Sequence, residues 1–149
     1  MIGTLTTADL SLIASGQALD LRSGAAADFD ALETIHARKT GALFVAAAEF
    51  GAVLGGARER ELAAVRSYAR NLGLAFQIVD DLLENARPEE TGKESKRTEA
   101  PSFVRRVGDG AARRLVDELT AHASDALAPF GARADLLREF AAMLRDRSR

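Results

Sequence analysis

Cysteine is missing from this 149-residue chain, and with it any disulfide framework or thiolate chemistry. An excess of charge of one sign is missing too. Twenty basic against 22 acidic residues leave a net charge of −2, which gives no basis for bulk nucleic-acid binding or a polybasic membrane patch. No charged segment precedes an apolar one at the N-terminus, so no signal peptide is expected and the chain reads as cytoplasmic. A bilayer-length apolar run is also lacking. The most hydrophobic stretch, Gly41 to Ala57, is short, rich in Ala and Gly, and interrupted by Glu49. It reads as a buried helix, and no membrane span is expected. β-branched residues are sparse and no alternating run persists, so strand signals are absent. There is no internal repeat, low-complexity tract or domain boundary.

What is present is an apolar fraction of 47% with 28% charged residues, the balance of a soluble globular protein and enough chain for one domain with a core. The periodicity is helical throughout. Leu10, Ile13, Gln17 and Leu21 share helical spacing after a capping-box start at Thr6 and Asp9. A second helix is expected from near Asp28 through Leu32, Ile35 and His36. Ala37 to Gly41 is a junction, followed by the Ala-rich helix, with Gly55 and Gly56 as its C-cap signal. A long helix follows from about Glu59 to Asn85. Pro88 to Pro101 reads as a polar loop, and two amphipathic helices close the chain, near Ala111 to Ala128 and Ala134 to Arg147, separated by Pro129 and Gly131. The expectation is an all-α fold of about six helices.

The long helix is unusual in its last turns, "GLAFQIVDDLLEN". Advancing about 100° per residue from Gln77 places Asp80 at about −60°, Asp81 at about +40° and Glu84 at about −20°. Phe76, Ile78, Val79, Leu82 and Leu83 fill the rest of the circumference. A surface helix has an apolar stripe on a polar cylinder; this helix has a polar stripe on an apolar one. Carboxylates one turn apart lie roughly 6 Å from each other and repel by about 0.2–0.5 kcal/mol in water. At an effective dielectric near 20 the repulsion rises to about 3 kcal/mol per pair. The helix C-terminus adds an unfavourable dipole. Either water screens the cluster, as at an acidic surface edge of a core helix, or a cation does. A hard divalent ion such as Mg²⁺ suits one or two carboxylates plus waters and phosphate oxygens.

At these residues the sequence resembles the trans-isoprenyl diphosphate synthases, the polyprenyl synthetases. "LGLAFQIVDDLLE" is similar to their second aspartate-rich motif, "GQALDL" to their G-Q-x-x-D-L segment, "KTGALF" to their lysine–threonine motif, and "TGKESKRTEAPS" to the lysine-containing loop after the metal motif. The resemblance implies an all-helical fold around a deep cavity. It implies ionisation of an allylic diphosphate with bound Mg²⁺, attack by isopentenyl diphosphate, and proton loss. Asp80 and Asp81 would ligate magnesium, with Glu84 standing where the family usually has a third aspartate. Gln77 would lie beside the allylic carbon, and Lys39 and Thr40 would contact the allylic diphosphate. A helix start with free N–H groups and a neighbouring lysine suits an anion, although a surface lysine before a Thr cap is also compatible with the residues alone. Lys93, with Lys96 or Arg97, would supply the loop charges across a spacer shorter than the family's. Gln17 and Asp20 match family positions and equally suit helix packing. The basic end, "LRDRSR", resembles the tail that some members fold over isopentenyl diphosphate.

The resemblance covers only the family's C-terminal half, so residues 1–149 are expected to form a single partial domain. The first aspartate-rich motif and its arginines have no counterpart; Glu89-Glu90 and Asp28-Phe29-Asp30 lack the flanking pattern. The expectation is therefore a subunit of a split synthase, inactive alone and active as a hetero-oligomer with a second polypeptide that carries the N-terminal half. The alternatives are a non-catalytic binding or regulatory subunit of a full-length synthase, and a truncated or domain-swapped homo-oligomer with no activity. Apolar helix faces should be exposed in the isolated chain.

Overall fold

The computed structural model describes residues 41–86 and 103–147. Five α-helices and one 3-10 segment account for nearly all of them. They are α1 (Ala42–Leu54), α2 (Glu59–Ala86), α3 (Phe103–Val107), α4 (Asp109–Ala126) and α5 (Asp135–Asp146), with the 3-10 segment Ala128–Ala134 before α5. Among the described residues there is no strand, and none of these helices is long and apolar enough to cross a membrane. The expected helices before residue 41 and the loop from Pro88 to Pro101 lie outside the described residues.

The central element is α2, 28 residues and about 42 Å long. It packs against α1, α4, α3 and α5. Its buried residues Val65, Tyr68, Ala69, Leu72, Ala75, Ile78, Val79 and Leu82 recur at the three- and four-residue steps that build a core-facing surface. They join Phe103, Val104, Ala112, Val116, Leu119, Ala123, Leu127 and Leu144 in one cluster. The helix is buried along this broad face, and the polar edge at its end borders the cluster.

Local chemistry sets the element boundaries. The glycine pair ends α1 as expected. Gly56 takes φ 75°, the Gly56 N–H donates to Val53 O at 3.0 Å, and the Ala57 N–H donates to Ala52 O at 2.9 Å. That pair of bonds is a Schellman ending, which needs a left-handed residue that glycine adopts without strain. Glu49, which interrupts the apolar run of α1, is ion-paired to Arg66 on α2. The short helix α3 was not expected from the sequence. At five residues it is too brief for periodicity to register.

Side-chain bonds fix α5. Arg138 donates through Nη2 to Leu127 O at 3.0 Å and through Nη1 to Gly131 O at 2.7 Å, tying α5 to the backbone just past the end of α4. The Tyr68 hydroxyl donates to Leu137 O at 2.9 Å, tying α5 to α2. Large apolar side chains are exposed on α1 (Leu43, Phe50, Leu54) and on α5 (Leu136, Phe140, Met143).

Candidate functional site

The polar edge at the C-terminal end of α2 carries Gln77, Asp80, Asp81 and Glu84. Gln77, Asp80 and Asp81 are partly buried, whereas Glu84 is exposed. Asp81 faces α3: the Phe103 N–H donates to its Oδ2 at 3.0 Å. The Gln77 side chain also hydrogen-bonds to its carboxylate. Burial pushes the Asp81 carboxyl above the usual carboxylate value; the bonds from Phe103 and Gln77 oppose this, while the charges of Glu84 and Asp80 add to it. Asp80 is also raised, first by burial; the positive charge of Arg147 opposes the shift and Glu84 reinforces it.

Among the described residues no three His, Cys, Asp or Glu side chains gather closely enough to form a metal cage. The donor set nevertheless fits a hard divalent ion of the kind that needs only two carboxylates. Asp80 and Asp81 are adjacent and pushed towards protonation first by burial and then by the charge of Glu84, with Asp80 also acting on Asp81, a cost that a cation removes. Oδ2 of Asp81 is engaged by Phe103. A magnesium ion held by two carboxylates completes its shell with water and phosphate oxygens.

Lys39, Thr40, Lys93, Lys96 and Arg97 lie outside the described residues, as do Gln17 and Asp20. The ends of the segments that carry them are placed. Gly41, next after Lys39 and Thr40, is buried at Gly73. A Cβ added to Gly73 would come 3.1 Å from the Gly41 Cα, one helical turn before Gln77. Just beyond, Phe44 meets Phe76 with ring centroids 5.5 Å apart. Phe103, which follows the lysine loop, is the residue bonded to Asp81. Gly41 thus lies against the middle of α2, and Phe103 against its C-terminal end.

Sequence reasoning missed the tie between Phe103 and Asp81, because a backbone donor 22 positions away leaves no side-chain signature. It also gave no sign that Arg147, beyond the end of α5 and inside the basic "LRDRSR" stretch, acts on Asp80.

A long central helix with two partly buried aspartates at one end, flanked by shorter helices, defines an all-helical isoprenyl synthase fold. The chain belongs to the polyprenyl synthetase family, whose model matches residues 2–99. It is 36% identical over 126 residues to geranylgeranyl pyrophosphate synthase 4 of Arabidopsis thaliana, covering 79% of this chain and 34% of that protein. It is 43% identical over 100 residues to geranylgeranyl diphosphate synthase of Cyanophora paradoxa, covering 61% of this chain and 33% of that protein. The structure resembles decaprenyl diphosphate synthase from Rhodobacter capsulatus with TM-score 0.77 and 27% identity, over 95% of this chain and 58% of the other. It resembles geranyltransferase from Legionella pneumophila with TM-score 0.75 and 29% identity, over 93% and 46%. The chain thus spans about a third of the length of these curated relatives.

Proposed function

We propose that this chain is one subunit of a split trans-isoprenyl diphosphate synthase, contributing the second aspartate-rich half of a Mg²⁺–diphosphate site for joining an allylic diphosphate to isopentenyl diphosphate. The observation that carries the reading is the pair Asp80 and Asp81. Both are partly buried and raised in pKa, on the last turns of α2 where Phe103 bonds Asp81. Unneutralised charge in such a place is costly, and a ligand that supplies positive charge removes the cost.

Asp80 and Asp81 would hold magnesium, with Glu84 adding negative field at the exposed edge. The ion would neutralise the diphosphate leaving group. Gln77 gives a hydrogen bond to Asp81, which orients that carboxylate and fixes its own amide beside it, near the expected allylic carbon. Lys39 and Thr40 bind the allylic diphosphate in this reading, and Lys93 with Lys96 or Arg97 closes over it. The second polypeptide supplies the opposing carboxylates and the isopentenyl diphosphate site, so the chain alone turns nothing over.

A second reading is a non-catalytic subunit of a full-length synthase. The structural employment of Asp81 by α3 favours it, since that bond alone is a reason to retain the residue. Mixing separates the two. The chain is combined with the N-terminal half of a synthase, Mg²⁺, a labelled isopentenyl diphosphate and an allylic diphosphate. Prenyl transfer that needs both chains supports the split enzyme. A stable complex without turnover, or activation only of an already complete synthase, supports the non-catalytic subunit.

A further inference from the structure

We propose that Arg147 is a built-in counter-charge for Asp80 that competes with the divalent ion: the end of α5 holds this arginine alongside the polar edge of α2, and the ion takes over its role when it binds. The proposal rests on the reading of Asp80 and Asp81 as metal ligands.

Two ties set how α5 lies on α2. Arg133, just before α5, meets Glu61 at 3.7 Å, and the Tyr68 hydroxyl donates to Leu137 O at 2.9 Å. Residue numbers rise together across these ties, so the two helices run in the same direction. From Tyr68 to Asp80 the chain of α2 climbs about 18 Å, and from Leu137 to Arg147 that of α5 climbs about 15 Å. Ala141 and Leu144 are buried in the common core, which keeps α5 on that core through its last turn. The two helix ends therefore come level, and Arg147 stands at the height of the turn that carries Asp80. Its backbone is fixed there, because the Arg147 N–H donates to Met143 O at 3.2 Å.

The two aspartates are served differently. Asp81 accepts the Phe103 N–H and a bond from Gln77. Among the described residues Asp80 has no such donor. What favours its charged form is the positive charge of Arg147, set against burial and the charge of Glu84. Arg145, in the last turn of α5, is bonded to its neighbour Asp146 at 3.3 Å, whereas Arg147 is exposed and acts on Asp80 through its charge. An arginine and a divalent ion near one carboxylate repel each other, so each weakens the other's hold. Asp81 is then the fixed ligand, and Asp80 the one whose partner is exchanged. This duty needs no substrate, which separates it from any contact of the basic end with isopentenyl diphosphate.

The test measures binding of Mn²⁺, a paramagnetic substitute for Mg²⁺, to the full chain by electron paramagnetic resonance at low ionic strength. Arg147→Gln should bind Mn²⁺ roughly threefold to tenfold more tightly than the parent, and high salt should shrink that gain. Arg147→Lys, which keeps the charge, and Arg145→Gln should both bind as the parent does. Equal or weaker binding by Arg147→Gln overturns the proposal, as does an equal gain in Arg145→Gln. Failure of the parent and Arg147→Gln to bind Mn²⁺ in a manner that depends on Asp80 and Asp81 overturns it too. If Arg147→Gln leaves Mn²⁺ affinity unchanged and weakens retention of inorganic diphosphate, the arginine serves the anion and the proposal falls. If the two-chain mixture turns over and Mn²⁺ affinity ignores Arg147, the split enzyme stands and the exchange falls. If Arg147→Gln tightens Mn²⁺ binding and the mixture shows no turnover, the split enzyme falls and the exchange stands.

Discussion

Asp81 and Phe103 are joined by a 3.0 Å hydrogen bond from the Phe103 N–H to Asp81 Oδ2. The carboxylate expected to hold metal therefore also fastens the first turn of α3 to α2. Substitution should separate these two duties. Asp81→Asn keeps an acceptor oxygen for Phe103, and stability in denaturant should stay within about 1 kcal/mol of the parent. Asp81→Ala removes the charged acceptor of this bond and should cost about 1.5–3 kcal/mol, the range for hydrogen bonds to charged groups. Both should eliminate turnover in the two-chain mixture. Turnover surviving in Asp81→Asn would remove this residue from the metal site.

The two aspartates should also give the metal-free chain a distinctive pH response. Burial is the first cause that raises each above the ordinary value of 3.8. A carboxyl with a raised folded pKa holds its proton more tightly when folded. Its stabilising contribution is complete below the ordinary value and is lost as pH rises through the raised one. Compared with the Asp80→Asn, Asp81→Asn double variant, the parent should lose relative stability as pH climbs from near 4 towards neutrality. Paired unfolding curves across that range check this, and a flat or opposite difference would contradict it. Mg²⁺ with inorganic diphosphate should then raise the parent's melting temperature and leave the double variant's unchanged.

The length of α2, the glycine ending of α1 and the approximate spans of α4 and α5 were legible in sequence, because each rests on local periodicity or on a residue with a fixed conformational role. The polar edge of α2 was legible for the same reason: Gln77, Asp80, Asp81 and Glu84 recur on one side of a stretch, Gly73 to Leu83, that is otherwise apolar. What surrounds that edge was not. The Phe103 donor, the Arg147 charge and the Glu49–Arg66 pair join residues far apart in the chain, and no spacing rule anticipates them. Glu49 in particular read as an interruption of an apolar run, and its meaning depends on Arg66 one helix later.

Tyr68 offers a direct optical check on the core. It is the chain's single tyrosine and there is no tryptophan, so phenolate absorbance reports this residue alone. Burial pushes its pKa up to about 12, and its hydroxyl donates to Leu137 O at 2.9 Å. Alkaline titration of the folded chain should show a midpoint near that value, and titration in denaturant one near 10, the ordinary value. Because the folded pKa is raised, Tyr68 stabilises the fold below pH 10 and this contribution disappears as pH rises towards 12. A folded midpoint near 10 would show that α5 does not cover Tyr68.

Gly73 of α2 and Gly41 at the start of α1 approach closely, and the tightness of this contact is measurable. Glycine inside a helix costs about 1 kcal/mol relative to alanine, so Gly73→Ala would stabilise α2 in isolation. Here the new Cβ would lie 3.4 Å from two Phe44 side-chain atoms, an ordinary contact, but 3.1 Å from the Gly41 Cα, tighter than most side-chain contacts. The start of α1 must shift by a few tenths of an ångström, and the two effects should offset to a net change within about 1 kcal/mol. Gly73→Val adds two methyl groups against the same backbone and should destabilise by about 1–3 kcal/mol. Because Lys39 and Thr40 immediately precede Gly41, the displacement has a functional readout. In the two-chain mixture Gly73→Ala should raise KM for the allylic diphosphate more than it lowers kcat. An unchanged KM would mean that the lysine–threonine segment takes its position from something other than this contact.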